Sequence, residues 1–279
     1  MEHLENGNKK RLRGAQENAG RNALFFDVDG TLMDEHGIVP QSARDAIHAA
    51  RENGALVFIN SGRPYALAKA VDGLVEYDGL LCGCGTDLRI GGKQLYSHLL
   101  PAEGVHQLQQ TYADYGVDAV LEGPEGDAFG EKNRLKDTID MKEFIRGQDA
   151  LSVQAFDDPD FPANKVCILT DEKSRTKEFL ESIAWFTDPI DRGEGFYECP
   201  AKGHNKGQAV QTTVELLGLD PARTYAFGDS MNDVAMLEAV RHPVIMAQHD
   251  KPLEALCEYV TDGIHEDGIA NALKHYGLI

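Results

Sequence analysis

The sequence predicts an α/β fold, a doubly wound, Rossmann-like parallel sheet interrupted by an inserted α+β domain. Three observations lead there. Short apolar runs that read as buried strands alternate with amphipathic segments opened by helix-start residues, the pattern of parallel strands joined by helices. That pattern lapses over residues 86–192 and then resumes. Dense polar clusters follow three of the apolar runs, at the strand ends where open parallel sheets bind ligands.

Taken in order, Ala23-Leu-Phe-Phe is a first strand running into Asp27-Val-Asp-Gly30. Pro40-Gln-Ser42 opens a helix with Ala43, Ile47 and Ala50 on one face and Gly54 as its stop. Leu56–Ile59 is a second buried strand leading to Asn60-Ser-Gly-Arg-Pro64, with Pro64 suited to the first position of a helix reaching about Asp72. Tyr77–Cys82 is a third strand. From 86 to 192 glycines and acidic turns multiply, with helices expected over Pro101–Tyr115 and Glu172–Ile183 and a strand over Asn164–Thr170. Then follow helix Lys206–Leu217, strand Thr224–Phe227, the cluster Gly228-Asp-Ser-Met-Asn-Asp233, helix Asp233–Val240, strand Pro243–Met246 and a last helix near Gly268–Tyr276. The expected organisation is a disordered polar tail over 1–22, a core domain in two parts (23–85 and 193–279) and the insertion 86–192.

The chain has 279 residues, with 46 Asp+Glu against 27 Lys+Arg and a formal net charge of −19. Such a surplus repels a polyanion or an anionic bilayer, so neither nucleic acid nor membrane is an expected partner. No stretch approaches the roughly 20 uninterrupted apolar residues of a spanning helix. The leader Met1–Asn22 has basic residues but no apolar segment behind them, and its glutamates do not suit a transit peptide. Five scattered cysteines argue against a disulfide framework and for a reducing cytoplasm.

Residues i and i+2 of a strand share a face, so Asp27 and Asp29 are expected to present two carboxylates to one pocket. Asp229 and Asp233 would add two more if their strand lies beside the first. Each close pair of carboxylates costs on the order of 4 kcal/mol at an effective dielectric of ~20, a repulsion that a hard divalent cation such as Mg²⁺ resolves. An isolated Asp-x-Asp-Gly is often only a turn. Turn chemistry does not explain the apolar strand ahead of it, the Ser61-Gly-Arg63 one βα unit later, or a second acidic strand end about 200 residues on.

With those clusters in place, the chain resembles the haloacid dehalogenase superfamily. Phe25-Phe-Asp-Val-Asp-Gly-Thr-Leu32 is similar to its first signature, Asn60-Ser-Gly-Arg-Pro64 to its second, Lys206-Gly207 before a helix to its third, and Gly228-Asp-Ser-Met-Asn-Asp-Val-Ala-Met-Leu237 to its fourth. The insertion resembles the large α/β cap of the Cof-type sugar-phosphatase branch. Two stretches depart from that branch: Cys84-Gly85-Thr86 stands where Asn-Gly-Ala is usual, and Ala247-Gln248-His249 where Gly-Asn-Ala is usual.

The resemblance implies Asp27 as nucleophile forming an aspartyl-phosphate and Asp29 as acid and base. It implies Mg²⁺ on the Asp27 and Asp229 carboxylates and the Asp29 main-chain carbonyl, with Asp233 in or next to the coordination shell. Ser61, Gly62, Arg63, Lys206 and Asn232 are implied as substrate-binding residues. Lys202-Gly203 rivals Lys206-Gly207 for the third signature; Lys206 is preferred because the amphipathic helix begins directly after it. The expected function is a cytoplasmic, Mg²⁺-dependent phosphatase acting on a small phosphorylated metabolite such as a sugar phosphate. The alternatives are a phosphosugar mutase using the same aspartyl-phosphate and a non-enzymatic phospho-ligand sensor. His242, His249 and His265 are read as surface loop residues.

Overall fold

The computed structural model describes Asn18, residues 20–148 and residues 153–279. Most of the tail expected over 1–22 lies outside the described residues. Its described end is tied down: Asn18 Nδ2 donates to Leu217 O at 3.1 Å and Arg21 Nε to Gly54 O at 2.7 Å.

The chain divides into two compact units. The first comprises the residues up to Ser61, Val71–Leu80 and Lys206–Ile279. Its sheet has the order β14-β13-β12-β1-β2-β3, where β1 is Ala23–Phe26, β2 Leu56–Asn60, β3 Gly79–Cys82, β12 Thr224–Gly228, β13 His242–Ile245 and β14 Tyr259–Val260. β3 starts in this unit and ends in the second. β1 pairs in parallel with β2 on one side and with β12 on the other, so the chain winds outward from β1 in one direction and from β12 in the other. This is the switch point at which doubly wound sheets bind ligands. β1 and β2 are buried along their whole length, which is why both read as unbroken apolar runs. Their aromatic side chains fix the pairing: Phe25 stacks on Phe58 at 4.9 Å between centroids and Phe26 on Phe227 at 4.4 Å, contacts worth about 0.5–1.5 kcal/mol each beyond burial.

Helices cover this sheet. In α1 (Gln41–Glu52) the apolar stripe Ala43, Ala46, Ile47 and Ala50 is buried, as its spacing predicts, and α1 packs on α8 (Gly268–His275). α6 (Lys206–Leu217) packs on α7 (Val234–Glu238). There Gly207 is required, because a Cβ would collide with the carbonyl oxygen of Ala235. His242 lies in β13 rather than in a loop, stacked on Tyr225 at 4.6 Å and 2.7 Å from Glu258 Oε2, which corrects the surface-loop expectation.

The second unit comprises Gly62–Ala70 and Leu81–Asn205, bounds that differ from the expected 86–192. It contains α2 (Tyr65–Ala68), the antiparallel hairpin β4 (Asp87–Ile90) and β5 (Lys93–Ser97), α3 (Ala102–Thr111), β6 (Asp118–Gly123), β7 (Gly126–Phe129), α4 (Lys136–Gln148), β8 (Val153–Gln154), β9 (Lys165–Leu169), α5 (Thr176–Ile183), β10 (Ile190–Asp191) and β11 (Phe196–Pro200). Its six-stranded sheet has the order β10-β11-β9-β6-β7-β8, antiparallel except between β7 and β8. α3 and α5 cover one face through Val105, Leu108, Phe179 and Ile183. The helix expected to run from Pro64 to about Asp72 stops at Ala68 and continues as a 3₁₀ turn, Lys69–Val71, with Pro64 as its N-cap. α5 starts at Thr176, not Glu172, after a turn in which Ser174 N donates to Asp171 O. Among the described residues no helix is long and apolar enough to cross a membrane, and all five cysteines are free thiols.

Candidate active site

The polar residues predicted at the ends of β1 and β12 meet in the first unit, because those strands are register neighbours: Phe26 lies opposite Phe227. Asp27 continues the ladder, its N–H donating to Phe227 O at 2.9 Å, and its side chain is only 4 % exposed. Gly30 (φ +85°) then turns the chain tightly, and a Cβ there would run into the Asp229 carboxylate. Only glycine meets both conditions. Thr31, fully buried, donates from Oγ1 to Asp229 Oδ1 at 3.0 Å and so aims that carboxylate.

Asp233 holds the loop after β12 together. Its Oδ2 accepts from the backbone N–H groups of Asp229 at 3.0 Å and Ser230 at 3.1 Å, while the Ser230 side chain caps the turn reciprocally. Asp250 adds a brace by accepting from Met231 N at 2.9 Å.

Lys206 connects these pieces. It opens α6, yet its side chain is 0 % exposed, with Nζ 2.5 Å from Asp27 Oδ1, 2.7 Å from Asp233 Oδ1 and 3.0 Å from Asn232 Oδ1. Asn60 Nδ2 at the end of β2 fixes the helix start by donating to Lys206 O at 2.9 Å. Burial by itself would lower the Lys206 ammonium, but Asp233 and Asp27 outweigh it and keep the group charged. Burial also pushes the Asp27 carboxyl well above the usual carboxylate range, with Asp233 and Asp229 adding to the rise against the pull of Lys206.

One carboxylate oxygen from each of Asp27, Asp229 and Asp233 lies within 4.8 Å of the others. Three carboxylates around one ammonium leave two negative charges uncompensated, the charge of one divalent cation. All the donors are hard oxygens, the type that Mg²⁺ takes. The residues present therefore fit such an ion.

Asp29 departs from the strand argument. β1 ends at Phe26, and Asp29 sits beyond it in an isolated bridge with Met33, exposed and outside the three-carboxylate cluster. The expected convergence of four carboxylates is thus a convergence of three. Asp29 instead lines a cavity of about 490 Å³ shared with Gly30, Asp34, Asp229, Gln248 and Gly263–Glu266. His265, expected as a surface loop residue and with its side chain 66 % exposed, also lines it, with Nε2 3.2 Å from the buried Asp34 carboxylate.

Ser61 is fully buried at the end of the first unit, and Gly62 and Arg63 belong to the second, where Arg63 O accepts from Gly83 N at 2.8 Å. Lys202, the rival lysine, directs its Nζ to Ala184 O at 2.5 Å. Thr31 and Asn60 stand inside the first and second motifs, where their residue types alone do not mark these hydrogen-bond roles, and Asp250 carries no sequence signal of its role.

Comparison with known proteins agrees with this geometry. The model of the haloacid dehalogenase-like hydrolases matches residues 24–273. A Bacillus subtilis (strain 168) protein provisionally named as a phosphatase, YkrA, is 27 % identical over 270 residues, covering 92 % of this chain and 98 % of its own. An HMP-PP phosphatase of Serratia proteamaculans (strain 568) is 26 % identical, covering 90 % of this chain and 93 % of its own. A solved structure of a haloacid dehalogenase subclass IIB sugar phosphatase superposes with a TM-score of 0.81 at 28 % identity, covering 92 % of this chain and all of that one. With its doubly wound sheet and its four motif regions, the chain belongs to the haloacid dehalogenase-like hydrolase family of enzymes.

Proposed function

We propose that this protein is a Mg²⁺-dependent phosphatase that hydrolyses a small phosphorylated metabolite, such as a sugar phosphate, through an aspartyl-phosphate on Asp27. The observation that carries the reading is the contact of the Lys206 ammonium with Asp27 and Asp233 beside Asp229, at the switch point of the sheet. It is supported by the names of the relatives, which describe phosphatases of HMP-PP and of sugar phosphates.

Asp27, Asp229 and Asp233 are the carboxylates that would hold the cation, together with the Asp29 main-chain carbonyl. When bound, Mg²⁺ neutralises charge on the phosphoryl oxygens and relieves the repulsion among the carboxylates. Lys206 offsets part of the rise that burial and the neighbouring carboxylates impose on Asp27 and fixes the orientation of its carboxylate. An Asp27 oxygen attacks phosphorus in line, forming a P–O bond as the bond to the leaving alcohol breaks. Asp29, exposed on the cavity, gives its proton to the leaving oxygen and then takes one from the water that attacks the phosphoryl group. Inorganic phosphate leaves and Asp27 is restored. Ser61, Gly62, Arg63, Lys206 and Asn232 are assigned to phosphoryl and substrate binding, and the inserted unit to substrate selection. The five free thiols suit a cytoplasmic setting.

The test is phosphate release from p-nitrophenyl phosphate and a panel of phosphorylated metabolites, with Mg²⁺ and with excess EDTA. Metal-dependent release supports the reading. Release unaffected by EDTA, or no release from any ester, overturns it.

A further inference from the structure

The second unit carries a layer of charge on the sheet face opposite α3 and α5. Glu122 on β6, Asp127 on β7, Lys165 on β9 and Glu198 on β11 are each at most 6 % exposed. Lys165 and Glu198 are paired, and Glu122 accepts a hydrogen bond through one oxygen. Lys165 Nζ lies 2.9 Å from Glu122 Oε2 and 3.8 Å from Glu198 Oε1, Arg192 donates to Glu198 Oε1 at 2.6 Å, and the Cys167 thiol donates to Glu122 Oε1 at 3.1 Å. Asp127 is the exception. It is 0 % exposed, and neither of its carboxylate oxygens has a hydrogen-bond partner among the described residues. Glu122 Oε2 has none either, its approach to Lys165 being an ion pair outside hydrogen-bond alignment.

Asp127 and Glu122 are direct cross-strand partners, so their side chains share a face with Cβ atoms about 5 Å apart. Buried polar groups without partners are rare and point to an unseen water or ion. Charge decides between the candidates. Among the contacts described for the three carboxylates of the layer the cations are Lys165 and Arg192, one positive charge fewer than the carboxylates. A proton on Asp127 donated to Glu122 Oε2 would supply that charge but would leave the other Asp127 oxygen buried without a partner, whereas one cation can meet all three unpartnered oxygens. A divalent ion would overshoot in a low-dielectric interior.

We propose that Asp127, with Glu122 beside it, holds a monovalent alkali-metal cation inside the second unit, through Asp127 Oδ1 and Oδ2 and Glu122 Oε2. Burial and the neighbouring Glu122 push the Asp127 carboxyl well above its ordinary range, which is the repulsion such an ion would relieve. The role is structural: the ion closes the charge balance of the sheet and is independent of the carboxylates around Lys206.

The test is the thermal midpoint of the full chain in KCl, NaCl and choline chloride at one ionic strength and one Mg²⁺ concentration, with the sodium NMR linewidth as a direct probe of binding. The expected result is a midpoint higher by about 2–4 °C when the alkali cation stands at about four times its dissociation constant. Asp127→Asn should lose both that rise and the broadening of the sodium line. Equal midpoints in KCl, NaCl and choline chloride overturn the proposal, as does the same rise in Asp127→Asn. If that variant does not fold, the wild-type linewidth decides: broadening reversed by added K⁺ supports the site, and no broadening contradicts it.

Discussion

Lys206 Nζ stands 2.5 Å from Asp27 Oδ1, although 179 residues separate the two in sequence. The contact exists because β12 and α6 return the chain to the edge of β1. It makes Lys206 the one lysine among the described residues buried against the Asp27, Asp229 and Asp233 carboxylates. Replacing it by methionine keeps the apolar stem but removes the charge, leaving Asp27 and Asp233 to repel each other. Phosphatase activity should fall by about 10²–10³-fold, as when a preorganised charge-stabilising donor is lost. Lys202→Ala removes only an exposed contact with Ala184 O and should stay within about twofold of wild type. Steady-state hydrolysis of p-nitrophenyl phosphate checks both, and the reverse ranking would move the third signature to Lys202.

Thr31→Val keeps shape but deletes the hydroxyl that donates to Asp229 Oδ1. Stability should drop by about 1 kcal/mol, the worth of one buried hydrogen bond. Activity should drop by about tenfold as the carboxylate loses its aim. Mg²⁺ titration of activity is the discriminating readout, since a misdirected Asp229 raises the Mg²⁺ concentration needed for half-maximal rate. An unchanged Mg²⁺ dependence would show that Thr31 does not position this side chain.

Gly207→Ala sets two effects against each other. Helix propensity favours alanine by up to about 1 kcal/mol. The added Cβ, however, would strike the Ala235 carbonyl oxygen, a backbone atom that cannot swing away. Overpacking costs about 1–3 kcal/mol and should win, giving net destabilisation in chemical denaturation. Stabilisation would mean that α6 and α7 are less tightly packed than the structure shows.

Hydrogen bonds from the Arg134 guanidinium, from Lys173 N and from Ser174 hold the Asp171 carboxyl well below its ordinary value near 3.8. A carboxyl with a depressed folded-state value contributes stability that is complete above the unfolded value and is lost as pH falls through the folded one. Asp171→Asn should therefore flatten the stability profile below about pH 4 and leave its shape near neutrality unchanged. Denaturant midpoints across pH 2–6 check this, and parallel acid profiles for the two proteins would refute it.

The first unit was legible because β1 and β2 are buried on both faces and spell continuous apolar runs, and because the polar residues of the switch point follow them directly. The second unit was legible only in outline. β8 and β10 have two residues each, too short for any period to register. α4 exposes Ile139 and Phe144, so its apolar residues do not trace a buried stripe. In the site, Lys206 could be preferred over Lys202 from its place before an amphipathic helix. The pairing of Asp27 and Asp29 on one strand face could not hold, because β1 ends one residue before Asp27. Asp250 was illegible since its role depends on one backbone N–H brought near by the fold.

In the proposed mechanism Asp27 carries the phosphoryl group. Rapid acid quench of a single turnover, followed by mass analysis of the peptide containing Asp27, tests it most directly. A transient gain of one phosphoryl group on that peptide, appearing before phosphate release and absent in Asp27→Asn, is the predicted result. Full single-turnover phosphate release with no phosphorylated Asp27 peptide, or an Asp27→Asn variant that keeps the wild-type rate, would contradict it.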